Sequence, residues 1–164
     1  MGAKPGGLLV ADGLAEIATA SPRDLPRVSL PVLGRVPLFA DLSDRNLRKV
    51  AKLVMPVRFD AGAAIVREGA QGHTFFVILE GRATVVRRGA RPAKLRAGEY
   101  FGEMALLDRG PRSATVVADT DMDVLVLGQR EFAGVIDEVP AMAHKLLTTM
   151  AQRLRESDAK AFSH

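Results

Sequence analysis

An antiparallel β sandwich or barrel with flanking helices is the fold class this sequence predicts, and three observations predict it. Between residues 55 and 127, short apolar runs with strand character follow one another, separated by corners that carry glycine. A helical period precedes that block from residue 38, and another follows it from residue 128. The 164 residues are 48% apolar and 26% charged, the make-up of one globular domain with a sizeable core and one appended element.

Residues 1–36 read as an N-terminal extension, with Pro5, Pro22, Pro26 and Pro31 inside it and Pro37 at its boundary. Within it, residues 8–19 suit a short amphipathic helix with Leu8, Leu9 and Ile17 on its apolar side, interrupted by Asp12 and Glu16. Residues 20–36 read as an extended, flexible linker that touches the domain through Val32, Leu33 and Val36. The extension carries no recognisable chemistry.

Residues 37–164 read as the domain itself. In "LFADLSDRNLRKVAKLV", Leu42, Leu47, Val50, Ala51 and Val54 fall at helical spacing. Ser43 suits the N-cap because its hydroxyl can accept from an orphan amide of the first turn, and Asp44 suits the positive end of the helix dipole. Pro56 is expected to end this helix. The strands follow as "VRF", "AAIVRE", "HTFFVILEG", "RATVVRR", "AKLR", "SATVVADT" and "MDVLVLG". Asp119, Asp121 and Asp123 alternate near the last turn and are expected to face water. Two helices come last. "QREFAGVIDEV" buries Phe132, Val135 and Ile136, and Pro140 sits at the N1-like position of the next. In that second helix Ala143, Leu147, Met150 and Leu154 form a stripe, widened by Leu146, that must lie on the barrel or on a partner helix.

Several function classes are excluded. Without cysteine there are no disulfides and no thiolate metal sites, in agreement with a reducing cytosol. His73, His144 and His164 lack metal-ligand spacing, which removes the metal cluster that a barrel enzyme of the cupin type needs. No serine–histidine–aspartate or paired-carboxylate arrangement stands out, so the expectation is a non-enzyme. The net charge of +4 is scattered, and its densest group, from Arg82 to Arg96, has no aromatic among its cations, so direct nucleic-acid binding is not expected. No apolar run approaches the ~20 residues of a membrane span. "MGAKPG" has Gly6 where a myristoylation signal wants Ser or Thr. A cytoplasmic location, with no membrane partner, is the expectation.

The segment that carries chemistry is "FGEMALLDRGPRSAT", residues 101–115. Gly102 and Gly110-Pro111 break strand alternation, whereas "EMALLD" suits one helical turn whose free amides form an anion site. Arg112 offers a planar fork that can hold two phosphate oxygens, and Glu103, acceptor-only when ionised, suits hydroxyl groups of the same ligand. Taken alone, the two charges read first as the ends of an ordinary loop salt bridge, and the surrounding pattern favours the ligand grip.

That segment closely resembles the phosphate-binding cassette of the cyclic nucleotide-binding domain family. So do "LFADLSDRNLRKVAKLV", "DAGAAIVREGAQGHTFFVILEGRATVV" and "VLVLGQREFAGVIDEVP", and the likeness covers about residues 37–156. The resemblance implies an eight-stranded antiparallel jelly-roll barrel with an N-terminal helical segment and two C-terminal helices. It implies that Glu103 accepts from the ribose 2′-hydroxyl, that the Gly102 backbone lies beside the sugar, and that amides around Met104 and Ala105 cap the cyclic phosphate. Arg112 would pair with the phosphate charge, and Ser113 would add a hydroxyl near the phosphate or base. Val85, Leu95 and Phe101 would line the barrel side of the ligand. Arg153, Leu154 and Ser157 lie where the last helix can fold over the base, and Ser157 could reach an adenine edge.

The ligand implied is a cyclic nucleotide, cyclic AMP favoured over cyclic GMP, with no cofactor. The function implied is a sensor whose terminal helices signal to an effector protein or to a second copy through the 143–154 face. The alternatives are a docking domain of the same fold that uses no nucleotide, and the sensor fragment of a larger transcription factor or channel.

Overall fold

The computed structural model describes residues 15–103 and 110–162. A 3₁₀ turn (Ala15–Ala20) leads into β1 (Arg23–Asp24), α1 (Leu30–Leu33), a second 3₁₀ turn (Pro37–Phe39) and α2 (Asp44–Leu53). Then come β2 (Met55–Phe59), β3 (Ala64–Val66), β4 (Phe75–Glu80), β5 (Ala83–Val86), β6 (Ala93–Leu95), β7 (Tyr100–Phe101), β8 (Thr115–Ala118) and β9 (Met122–Leu127). The chain continues through α3 (Gln129–Glu138) and α4 (Pro140–Phe162). No helix among the described residues is long and apolar enough to cross a membrane.

All strand pairs are antiparallel and form two sheets, one in the order β1-β2-β9-β4-β7 and the other β3-β8-β5-β6. Eight strands, β2 to β9, lie within 55–127, and β1 joins the edge of the first sheet from the extension. Among the described residues the pairings give two sheets face to face rather than one closed barrel. Two strands escaped the sequence pattern. Tyr100–Phe101 and Arg23–Asp24 are two residues each, too short to show a period.

The molecule has two cores, and β4 separates them. Phe76 and Ile78 point between the sheets, into a cluster with Val57, Phe59, Ile65, Val116 and Val124. Phe75 and Val77 point the other way, under the helices, with Leu47, Val50, Phe132, Val135 and Leu146. A strand covered on both faces needs a continuous apolar run, and "FFVIL" supplies it.

The helices follow their sequence signals at the start and depart from them later. Ser43 Oγ accepts from the Asn46 amide at 3.2 Å, as an N-cap should. Helix α2 stops at Leu53 and Pro56 sits inside β2, so the proline does not itself terminate the helix. The apolar stripe of α4 keeps Leu146 and Met150 of the expected one but is rotated away from Leu147 and Leu154. Val139 in the connection and Met142 and Leu146 on the helix are buried, while Leu147 and Leu154 are 61% and 64% exposed. The start of α4 sets this phase: Val139 and Met142 pack in the helix-side core, and Lys145 donates to the Pro37 carbonyl and to Asp41 at 3.2 Å.

The expected extended linker is also different. Helix α1 interrupts it, Leu33 and Val36 are buried in the helix-side core, and Val32 stays 39% exposed. The three aspartates near the last turn are engaged. Asp119 accepts from Thr84 at 2.7 Å, Asp121 from the Ala61 amide at 2.9 Å, and Asp123 pairs with Arg58 at 2.7 Å.

Candidate functional site

The site forms at one end of the space between the sheets, where β7 ends. Phe101 pairs with Phe76 across β7 and β4, and their rings stack at 4.5 Å with 9° between planes. The chain then leaves the sheet through Gly102 at φ +94°, a left-handed conformation that glycine adopts without strain. A Cβ there would stand 2.5 Å from the Thr74 carbonyl oxygen and 3.1 Å from Arg112 Nη1. Only glycine lets this corner lie against the guanidinium. Glu103 follows directly and is 8% exposed.

Arg112 reaches the same place from the segment before β8. Its backbone is tied to the chain after β3, its amide donating to the Ala70 carbonyl and its carbonyl accepting from the Gly69 amide, both at 2.8 Å. Its side chain is held on several sides. Nη1 donates to the Gly102 carbonyl at 3.1 Å and Nη2 to the Thr74 carbonyl at 2.8 Å. The guanidinium carbon lies 5.8 Å from the centre of the Phe76 ring.

The edge made by Nε and Nη2 faces Glu16. Both nitrogens donate to the Glu16 carboxylate at 2.5 Å, with side chains 3% and 7% exposed. Glu16 and its buried neighbour Ile17 belong to the first 3₁₀ turn, in the extension expected to carry no chemistry. No spacing in the sequence links positions 96 residues apart. The one available signal was a carboxylate beside an isoleucine that belongs in a core.

Glu103 and Arg112 do not pair with each other. Glu103 Oε1 accepts from Arg153 Nη1 at 3.0 Å. Arg153 comes from α4, also donates to the Tyr100 carbonyl at 3.4 Å, and lies 4.2 Å from the Tyr100 ring centre. Burial holds the Tyr100 phenol above its usual range, against the opposing pull of the Arg153 cation.

A cavity of about 400 Å³ opens between these groups, within the range of small-molecule sites. It brings together Val85, Leu95, Phe101, Gly102, Glu103, Arg112 and Ser113 of the sequence-derived set, with Arg153 of the last helix, and adds Val66 and Val116. Met104, Ala105 and the rest of the "EMALLD" turn expected after Glu103 lie outside the described residues, as does the Ser157 side chain. Leu154 projects away, largely exposed. The arrangement gathers a cationic fork, its bidentate edge held by Glu16, a carboxylate held by Arg153, and apolar walls that suit a flat ring. Among the described residues no group of three or more His, Cys, Asp or Glu could hold a metal ion.

Residues 56–139 match the model of the cyclic nucleotide-binding domain. A cyclic nucleotide-gated potassium channel of Rhizobium etli is 38% identical over 122 residues, which is 74% of this chain and 34% of the channel. Among solved structures, the catabolite activator protein of Thermus thermophilus superposes with a TM-score of 0.70 at 32% identity, covering 76% of this chain and 61% of that one. The regulatory domain of Toxoplasma gondii protein kinase A, crystallised with cAMP, gives 0.64 at 30% identity, covering 76% and 48%. The chain thus spans about a third of the channel it matches.

Proposed function

This chain belongs to the cyclic nucleotide-binding domain family, and from that premise we propose that its cavity binds a cyclic nucleotide, cyclic AMP in preference to cyclic GMP, as the sensing step of a regulatory module. The observation that carries the reading is the meeting of Arg112 and Glu103, from segments nine positions apart, in one apolar-walled cavity with Gly102 between them. Arg112 takes the cyclic phosphate, Glu103 the ribose 2′-hydroxyl, and the Gly102 backbone lies along the sugar. Val85, Leu95 and Phe101 line the ligand's apolar side, Ser113 adds a hydroxyl near the phosphate or base, and amides around Met104 and Ala105 complete the phosphate cap. Cyclic AMP as a ligand is supported by the Toxoplasma relative, which was solved with it; the preference over cyclic GMP is the part that the titration below tests.

Output passes through α4. Arg153 ties that helix to Glu103, so a ligand that engages Glu103 alters the hold on α4 and biases its position. The effector is a partner protein or a second copy meeting the 143–154 face, where Leu147 and Leu154 are exposed.

Titration calorimetry with cyclic AMP, cyclic GMP and linear 5′-AMP tests the reading. Saturable binding of cyclic AMP, weaker binding of cyclic GMP and none of the linear nucleotide is expected. Heats of dilution alone for all three would leave a docking domain that uses no nucleotide.

A further inference from the structure

The guanidinium of Arg112 has five N–H donors. Four of them are engaged: two on Glu16, one on the Thr74 carbonyl and one on the Gly102 carbonyl. The two on Glu16 form the Nε–Nη2 edge, the face that grips a carboxylate or phosphate with two parallel bonds. A cyclic phosphate seeking the same bidentate contact meets an edge already filled by a carboxylate.

Charge points the same way. Arg112 and Glu16 are both almost fully buried and neutralise each other. A second anion brought against Arg112 with Glu16 still in place would add an uncompensated negative charge to a desolvated site, which is costly. The carboxylate is also fitted to its seat. It packs so closely on Gly72 that a Cβ at that position would stand 2.0 Å from Glu16 Oε2. Ile17, next in the chain, is fully buried in the inter-sheet cluster and fixes the segment to the site.

We propose that Glu16 is a built-in anionic competitor: it occupies the phosphate-gripping edge of Arg112, and a cyclic nucleotide must displace it, loosening residues 15–20 as it binds. The inference rests on the nucleotide reading above and adds a regulated element to it. The competitor lowers apparent affinity by the fraction of molecules in which Arg112 is free. Anything that draws the N-terminal segment away then sensitises the site, and ligand binding in turn releases the segment, because the coupling is reciprocal.

Two substitutions test it by calorimetry with cyclic AMP. Glu16→Gln keeps the shape and removes the charge. Gly72→Ala keeps the charge and pushes the carboxylate off its seat, at a position whose backbone is not left-handed. Both are expected to bind cyclic AMP about 10- to 100-fold more tightly than the unsubstituted chain, as when a competitor holding 90–99% of molecules is removed. Equal or weaker binding by both variants, with the unsubstituted chain still binding, overturns the competitor and leaves the nucleotide reading intact. Absence of binding in all three chains overturns both.

Amide exchange in the unsubstituted chain supplies a readout that needs no variant to fold. Saturating cyclic AMP should speed exchange in residues 15–20, and unchanged or slower exchange there counts against displacement.

Discussion

Two arginine–carboxylate pairs flank the cavity, and they differ in every respect that sets their strength. Arg112–Glu16 is bidentate, with side chains 3% and 7% exposed. Arg153–Glu103 makes one bond at 3.0 Å, with its arginine 37% exposed. The first is backed by rigid neighbours: the Arg112 backbone is bonded to Gly69 and Ala70, and Glu16 adjoins fully buried Ile17. The second is carried on α4 two turns beyond Leu146, with Leu154 exposed beside it. One end of the described chain is therefore locked to the cavity and the other is lightly latched. A ligand that breaks both contacts does most of its work against the first.

Arg112→Ala should show the largest effect. It strands the Glu16 carboxylate without its partner and removes two further bonds, to Thr74 and Gly102. Breaking a buried pair from one side costs about 3–5 kcal/mol. Urea unfolding is expected to show a loss of that size, together with loss of cyclic AMP binding. A loss under about 1 kcal/mol would make the two pairs equivalent and end the contrast.

Ile17→Ala comes next and separates stability from affinity. Emptying a fully buried isoleucine site costs about 2–5 kcal/mol. The same change loosens the turn that presents Glu16, so cyclic AMP should bind more tightly to a less stable protein. Both quantities falling together would mean that the turn supports Arg112 rather than competing for it.

The contrast also marks what the sequence could and could not show. The succession of helix, strands and helices and the Ser43 cap were legible because each is written within a few neighbouring residues. Glu103 and Arg112 were legible as candidates for one cavity for the same reason, since a glycine, a carboxylate and an arginine stand close together in an apolar segment. Their partners were not. Glu16 is 96 residues from Arg112, and Arg153 is 50 from Glu103, so tertiary packing alone unites them. The α4 stripe was misphased for a related reason: Leu147 and Leu154 satisfy helical spacing as well as Met142 and Leu146 do, and the docking of Val139, Met142 and Lys145 decides between them.

Arg153→Ala should show the smallest effect. An ion pair with one partner more than a third exposed is worth about 0–1 kcal/mol, and the contact of the guanidinium with the Tyr100 ring adds about 0.5–1 kcal/mol at such a site. A stability loss of about 0.5–2 kcal/mol is expected, and added salt should reduce it, because screening reaches a partly exposed pair and spares a buried one. The functional consequence can exceed the energetic one. With Arg153 gone, Glu103 no longer holds α4, so ligand-dependent changes in amide exchange over residues 140–156 should shrink even where affinity changes little. Should those changes persist at full size, α4 senses the ligand through its packing on α3, and the latch is incidental to signalling.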